Sequence, residues 1–209
     1  MDFKDILEER RAVNYFDTQK EFPESLIKEM IEMASKSPSS YNLQPWNVIV
    51  LKDHQEKALL RKNAWDQAKI TEAPYVLIIL GDRNGWREKH PVMEKNFQAL
   101  VDRGRKKEEE RDIYVGALKN LYGESPEKQQ AFAVKNCGFF AMSLMYSAKE
   151  LGLDTHPMDG FDHEGVRNAF NIPENYWIPL LLAVGYFDDT KKLYPPNWRK
   201  TYDEIVVKF

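Results

Sequence analysis

The chain contains 209 residues, of which 43% are hydrophobic and 30% are charged, so it is long enough to bury a core without disulfides or structural metals. Its 30 basic and 33 acidic residues give a formal net charge of -3, which argues against a nucleic-acid-binding protein that depends on a global basic field. The single cysteine, Cys137, excludes an intrachain disulfide and any multi-thiolate metal centre, and it fits a reducing compartment.

The sequence contains many helix patterns and a few short strand patterns. Apolar residues at helical spacing predict helices at 2–11, 23–34, 55–61, much of 91–122, 127–151 and 162–170. Short β-branched and aliphatic runs predict buried strands at 47–51, 75–80 and 178–184, and a detached strand at 205–207. Few and distant strands among many helices predict an α+β sandwich with a mixed sheet at its centre. The detached strand would return to that sheet or cross to a partner subunit.

The predicted organisation is one domain over residues 1–209, with an extension from about 191 to the end. The longest charge-free apolar stretch, 136–148, has the length of a buried core helix and is too short to span a membrane. The first eleven residues are charged and amphipathic and do not resemble a secretory signal. We therefore expect a cytoplasmic protein without a membrane span.

The common catalytic motifs are absent from the sequence. It has no glycine-rich dinucleotide- or phosphate-binding loop, no G-x-S-x-G motif and no H-x-x-x-H pair, and its four histidines are typical of surface or loop positions. Cys137 lies in the predicted helix 127–151, where a thiol is typically an inert packing residue. We predict no catalytic side chain and no metal site, and we expect a cofactor to supply any chemistry. The charged run 103–111 indicates a solvated helix face, and it leaves a helical interaction protein without a cofactor as an alternative.

Four segments have a recognisable order and spacing: ERRAVNYFD at 9–17, SPSSYNLQPW at 37–46, GLDTHPMDGF at 152–161, and WRK followed by DEIV within 198–206. Together they resemble the nitroreductase family of FMN-dependent NAD(P)H oxidoreductases. The resemblance implies a three-layer α+β sandwich with a mixed, mostly antiparallel sheet, in a homodimer with swapped terminal segments and two FMN sites at its interface. It also implies ping-pong hydride transfer from NAD(P)H through the flavin to nitroaromatics, quinones or similar acceptors. A non-catalytic flavin-binding or flavin-sensing module is the alternative.

Arginines in the first and last of these segments match the family's phosphate and ribityl clamp. FMN carries a phosphate dianion, and a guanidinium binds it well because its donors can contact two oxygens at once. The resemblance therefore implies phosphate binding by Arg10, Arg11 and Arg199, although each arginine alone would suit a solvated surface.

Three positions depart from the family's usual pattern. Ala12, Asn14 and Asn197 stand where the family commonly has Ser, Lys or Arg and a second terminal cation. Without one charge-assisted hydrogen bond in a buried setting, binding is weaker by roughly 1.5–3 kcal/mol. The resemblance therefore implies contacts to FMN from these three residues, with weaker phosphate binding or greater dependence on the three arginines.

The second segment is a proline-bracketed loop rich in short polar side chains. In the family this loop reaches the FMN of the opposite subunit, which implies cofactor contacts from Pro38, Ser39, Ser40 and Asn42. Ordinary turn chemistry explains the same residue types, because Ser and Asn side chains bond their own backbone.

Two further stretches correspond to residues around the flavin ring. Lys69 matches the family lysine that stabilises the negative charge of the reduced flavin, and Gln67 matches an amide at the ring edge. A solvated helix lysine is the alternative for Lys69.

The third segment would run along the ring with backbone N–H groups near flavin N5 and O4, where a glycine allows close approach. Its residues are Pro157, Met158, Asp159 and Gly160, and an ordinary turn is the alternative.

Aromatic side chains are the candidates for holding an electron acceptor over the flavin. A core position is the default for each of them. The candidates are Trp65, Trp86, Phe97, Tyr114 and Tyr122.

Overall fold

The fold is built on a four-stranded sheet, seen in a computed structural model that describes residues 2–208. The strands are β1 (Trp46–Leu51), β2 (Tyr75–Asp82), β3 (Asp154–Met158) and β4 (Tyr176–Gly185), in the order β1-β2-β4-β3. All three ladders between them are antiparallel. The sequence predicted a mixed sheet, and within residues 2–208 parallel pairing is confined to an isolated bridge between Ala12 and Thr155.

Nine α-helices within residues 2–208 surround the sheet, together with two short 3₁₀ turns at Ser40–Asn42 and Glu108–Glu110. The helices are α1 (Phe3–Glu9), α2 (Glu24–Ala34), α3 (His54–Lys62), α4 (Lys69–Glu72), α5 (Pro91–Asp102), α6 (Arg111–Tyr122), α7 (Pro126–Glu150), α8 (His163–Ala169) and α9 (Tyr202–Ile205). Within this part of the chain, no helix combines the length and the apolar character that a membrane span requires.

Helices cover both faces of the sheet, which explains why β2 is buried along its whole length. Alternate residues of a strand point to opposite faces. Val76, Ile78 and Leu80 pack with residues of α3, α4 and α8, whereas Leu77 and Ile79 pack with residues of α2 and α7. This is the three-layer α+β sandwich that the sequence predicted. A third cluster fills the space among α5, α6 and the start of α7.

The edge strand β3 was not predicted from the sequence. It has only five residues, and Pro157 lies near its end. Proline lacks the backbone N–H that an interior strand needs, but it is tolerated in an edge strand. β3 exists because it pairs with β4, for example Thr155 with Val184, so tertiary pairing decided this element.

The end of the chain differs from the predicted strand at 205–207. A single turn of helix, α9, covers Tyr202–Ile205, and residues 206–208 pair with no strand of the described chain. The arm formed by residues 191–208 is exposed throughout, with Trp198 at 76% and Val207 at 64% exposure. Such exposure of large apolar side chains is typical of a segment that packs against another chain.

We expect Cys137 to be unreactive in the folded protein. The residue is completely buried on α7 with its Sγ 3.6 Å from the carbonyl oxygen of Leu80, and burial raises the pKa of the thiol to about 12. Since the thiolate is the reactive species, a disulfide reagent at mildly alkaline pH should leave the native protein unmodified and label one thiol after unfolding in urea. Stoichiometric labelling before unfolding, measured by absorbance, would contradict this burial.

Candidate functional site

A cavity of about 920 Å³ lies between the start of the chain, α7 and the C-terminal arm. Four cationic side chains line it, and we call it the arginine cavity. The cations are Arg10, Arg11, Lys192 and Arg199. Ala12, Asn14 and Asn197, the three positions that depart from the usual family residues, line it as well. All six residues predicted to contact the phosphate end of FMN therefore share one cavity.

The three arginines of this cavity have no acidic partner in the part of the chain that the structure describes. Arg11 donates hydrogen bonds to the carbonyl oxygens of Glu8 and Arg10, and Arg199 donates to those of Asn197 and Trp198, both at 3.0 Å. Among residues 2–208, no carboxylate lies within ion-pair distance of any of these guanidinium groups. Glu8 also lines the cavity but forms no ion pair with them, so the four cations outnumber the acidic side chain at the wall. Like charges gathered in one place repel one another, and the cavity therefore suits a multiply charged anion.

The environment of Arg10 supports the same conclusion. Burial lowers the pKa of its guanidinium, Tyr146 acts in the opposite direction, and the neighbouring charges of Arg199 and Arg11 lower it further. The group nevertheless stays protonated, because an arginine side chain does not lose its proton in proteins. A half-buried positive charge beside two others is a costly arrangement that a bound anion would relieve.

Lys69 lies close to the wall of the arginine cavity. The backbone N–H of Val13 donates to the carbonyl oxygen of Thr155 at 3.1 Å, which ties the segment containing Ala12 to β3. Next along β3, His156 has its Nδ1 atom 2.8 Å from the carbonyl oxygen of Val13 and its Nε2 atom 3.3 Å from Lys69 Nζ. Burial is the main reason that the pKa values of both Lys69 and His156 are lowered. Lys69 is therefore a partly buried cation in a defined position.

Beyond β3, the backbone at Gly160 is packed tightly. Gln67 Nε2 donates to the carbonyl oxygen of Gly160 at 2.8 Å, and the indole of Trp65 covers the same glycine. A Cβ atom at position 160 would lie 2.8 Å from Trp65 Cε3, so this close approach requires glycine. In the preceding residues, the Met158 side chain is buried in the core, whereas Asp159 is exposed. Of Met158, only the backbone could therefore face a ligand here.

The serine-rich loop is not part of the arginine cavity in one chain. After Pro38, the N–H of Ser40 donates to Asn136 Oδ1 at 2.9 Å, near the middle of α7. Met142 and Tyr146 of the same helix line the cavity. Asn136 is separated along the helix axis from these two residues by about 9 and 15 Å, respectively, so the loop and the cavity occupy two places on one chain.

Within the loop, turn chemistry uses some of the predicted side chains. Ser39 Oγ accepts a hydrogen bond from the N–H of Gln44 at 3.0 Å, and Asn42 Nδ2 donates to Asn96 Oδ1 at 3.1 Å. The Ser40 hydroxyl has no hydrogen-bond partner within residues 2–208 and is partly exposed. Of the three polar side chains, Ser40 is therefore the one whose polar group has no partner in the described chain.

Comparison with known proteins identifies the family. The model of the nitroreductase family matches residues 7–186, which is most of the chain. The chain belongs to the nitroreductase family. A relative from Bacillus subtilis, YodC, provisionally assigned as an NAD(P)H nitroreductase, is 31% identical over 181 residues, which cover 87% of this chain and 87% of that protein.

Solved nitroreductase-like structures share the whole fold. YdfN of Bacillus subtilis, provisionally assigned as a nitroreductase, superimposes with a TM-score of 0.89 at 26% identity, over 99% of this chain and 98% of that one. A protein of Exiguobacterium sibiricum with the same provisional assignment was solved in complex with FMN. It matches with a TM-score of 0.84 at 26% identity, over 100% of this chain and 98% of that one.

In this nitroreductase-family chain, most of the candidate aromatics belong to the core. Trp86, Phe97 and Tyr114 are buried in one cluster, and Tyr122 packs against it. These are the core positions that were the default prediction for each of them. Trp65 differs, because it is 75% exposed and lies beside Gly160. It is the one candidate whose side chain stands free of the core.

Sequence reasoning missed three side chains of this region. Lys192 and Tyr146 line the arginine cavity, and His156 bonds to Lys69. Lys192 lies in a segment without periodicity and Tyr146 in a helix whose faces the sequence could not orient, so neither carried a local signal. His156 was expected in a loop or at the surface, but it is partly buried in β3, the strand that sequence patterns did not predict.

Proposed function

We propose that the protein is an FMN-dependent NAD(P)H oxidoreductase that reduces nitroaromatics, quinones or similar acceptors. The observation that carries the proposal is the arginine cavity in a nitroreductase-family fold, whose guanidinium groups form no ion pair with a carboxylate of residues 2–208. Its wall residues Ala12 and Asn14 flank Val13, which His156 connects to Lys69. The FMN complex of the relative from Exiguobacterium sibiricum supports the choice of cofactor. The NAD(P)H nitroreductase assignment of YodC supports the choice of electron donor.

The residues present fit FMN. Arg10, Arg11 and Arg199 would hold the phosphate dianion, because three guanidinium groups that no carboxylate of residues 2–208 pairs with supply both charge and directed donors. Lys192 adds a fourth cation, which offsets the cations that the family pattern has at positions 14 and 197 and this chain lacks. The side-chain amides of Asn14 and Asn197 would hydrogen-bond the ribityl hydroxyls or the phosphate, and Ala12 would contribute its backbone.

Residues beside the cavity would hold the ring system. When bound, FMN supplies reversible two-electron chemistry between NAD(P)H and an acceptor. Lys69 would stabilise the negative charge that accompanies reduction, and its partial burial strengthens that interaction. Gln67, Asp159 and Gly160 would line the ring edge, where the missing Cβ of Gly160 leaves room for the indole of Trp65. Trp65 would cover an acceptor above this site.

We propose that two copies of the chain form a homodimer with a site at each interface. Each chain carries the arginine cavity and the Ser40 loop in separate places, so a loop from one copy would complete the cavity of the other. The exposed face of α7 supports this pairing, since Phe139 is 46% exposed and Gly138 beside it is exposed as well. The exposed arm of residues 191–208, which carries large apolar side chains such as Trp198, would extend from the single domain onto the partner. We also propose a reducing compartment, the cytoplasm, because the one cysteine is a buried free thiol.

Subunit complementation tests both the cofactor site and the dimer. Arg199→Ala removes the clamp from one chain, and Ser40→Trp blocks the loop of another. Each variant alone should retain little FMN, whereas dissociating and re-forming an equal mixture should restore about one quarter of the sites in symmetric dimers. FMN retention is measured from the visible flavin absorbance after gel filtration, with the unmixed variants as controls.

Each failure of this experiment has a distinct meaning. A parent protein that binds no FMN after reconstitution would overturn the proposed function. A mixture that recovers no FMN would place the whole site within one chain. Parent protein whose bound flavin is not bleached by NADH or NADPH would be a flavin-binding module without turnover.

A further inference from the structure

His156 makes two hydrogen bonds that together determine which ring nitrogen of its imidazole carries the hydrogen. Its Nδ1 atom lies 2.8 Å from the carbonyl oxygen of Val13, and a carbonyl oxygen only accepts hydrogen bonds. The hydrogen is therefore on Nδ1. In the neutral ring, Nε2 then carries a lone pair, and Lys69 Nζ lies 3.3 Å from it as the donor. Burial and the positive charge of Lys69 both lower the pKa of His156, which agrees with a neutral imidazole.

His156 is the side chain that holds the ammonium group of Lys69. Among residues 2–208, no carboxylate lies within ion-pair distance of Lys69 Nζ, and Glu72 acts on it only at longer range. A lysine side chain has four flexible carbons and loses considerable rotamer entropy when it is fixed. The imidazole lone pair therefore gives this cation a direction that it would otherwise lack.

The same imidazole is itself fixed by the wall of the arginine cavity. Val13 accepts from His156 and also donates its N–H to the carbonyl oxygen of Thr155. The segment that carries Arg10 and Asn14 is thus connected to Lys69 through one side chain. The carbonyl oxygen of Val13 holds the imidazole on one side, and the imidazole contacts the ammonium group on the other.

We propose that His156 is a positioning residue, which directs the ammonium group of Lys69 toward the flavin site and thereby raises the reduction potential of bound FMN. This inference rests on the proposed function. A cation stabilises developing negative charge best when it is already in place, because no reorganisation is then needed during reduction. Lys69 touches the cofactor in this proposal, and His156 acts through Lys69 alone.

Two amide substitutions separate this role from a merely structural one. The side-chain amide of His156→Asn can replace Nδ1 and keep the bond to Val13, but it does not reach Lys69. The longer side chain of His156→Gln can present its oxygen near the position of Nε2 and accept from Lys69. If His156 positions Lys69, His156→Asn should shift the midpoint potential of bound FMN to more negative values. His156→Gln should stay near the parent.

The measurement is spectroelectrochemical titration of each FMN-loaded variant, together with its FMN affinity and thermal unfolding. Lys69→Met gives the full shift in midpoint potential that loss of the cation causes, and His156→Asn should reproduce most of it. The potential of the double variant should shift no further than that of Lys69→Met alone. Equal potentials for the parent and His156→Asn would overturn the proposal, as would equal shifts for both amide variants. Parent protein that takes up no FMN would instead overturn the proposed function.

A second measurement leaves position 156 intact, in case its variants fold poorly. The ¹⁵N resonances of the imidazole in the native parent should show a hydrogen on Nδ1 and an unprotonated, hydrogen-bonded Nε2. The Nε2 resonance should move in Lys69→Met. A hydrogen on Nε2, or a resonance that is indifferent to Lys69→Met, would overturn the proposal.

Discussion

Phe139→Glu is expected to convert the protein to monomers that do not retain FMN. Phe139 is 46% exposed on α7, a helix whose remaining faces are packed against the sheet and α2. A carboxylate at an apolar interface would have to lose its hydration without a partner, which costs several kcal/mol in two symmetric copies. Gel filtration with light scattering should report the mass of one chain, 24.5 kDa, whereas the parent should give twice that mass.

Leu59→Glu is the matched control for this substitution. Leu59 is 39% exposed on α3, which covers the opposite face of the sheet from α7. This control variant should remain dimeric and bind FMN, because it introduces the same charge outside the proposed interface. Far-UV circular dichroism should be unchanged in both variants. A dimeric Phe139→Glu protein that keeps its flavin would show that α7 does not form the interface.

Arg199→Ala is expected to weaken FMN binding by about 10- to 150-fold. The guanidinium lines the arginine cavity and its side chain is exposed, so the substitution removes an anion contact and no core volume. Hydrogen bonds to charged groups contribute roughly 1.5–3 kcal/mol each, which corresponds to this range in the dissociation constant. Titration of the apoprotein with FMN, followed by quenching of flavin fluorescence, measures the effect.

Lys200→Ala provides the control because Lys200 is the next residue of the same exposed arm but does not line the cavity. It loses the same charge, so a general electrostatic effect would weaken FMN binding equally in both variants. We expect Lys200→Ala to bind FMN within a few-fold of the parent. Equal affinities for the parent and Arg199→Ala would remove Arg199 from the phosphate site.

Elements with a long periodic pattern could be predicted from the sequence, but elements that depend on pairing could not. The helix α7 and the strand β2 carry their patterns over many residues, and both occur close to the predicted bounds. β3 is short, contains Pro157 and depends on β4 for its hydrogen bonds. Residues 205–207 have the composition of a strand, but Ile205 ends the helical turn α9, which a capping box between Thr201 and Glu204 stabilises.

The candidate site divides in the same way. Arg10 and Arg199 could be predicted as phosphate-binding residues from motifs at opposite ends of the chain, and the structure brings both to one cavity. Lys192 and His156 could not be chosen, because neither belongs to a local pattern that signals a ligand. The environment of Lys69 depends on a hydrogen bond to a residue far along the chain, which sequence spacing does not reveal.

The α+β class and the residue types available for binding an anion could be read from the amino-acid sequence, and its resemblance to nitroreductases implied the family and the three-layer arrangement. These follow from local periodicity and from motifs that each lie within a short segment. Folding was needed to show that the arginines form no ion pair with a carboxylate among residues 2–208, that the Ser40 loop contacts α7 at Asn136 outside their cavity, and that His156 links Val13 to Lys69. Charge compensation and hydrogen bonding depend on distances between segments that are remote in the chain, and those distances exist only after folding.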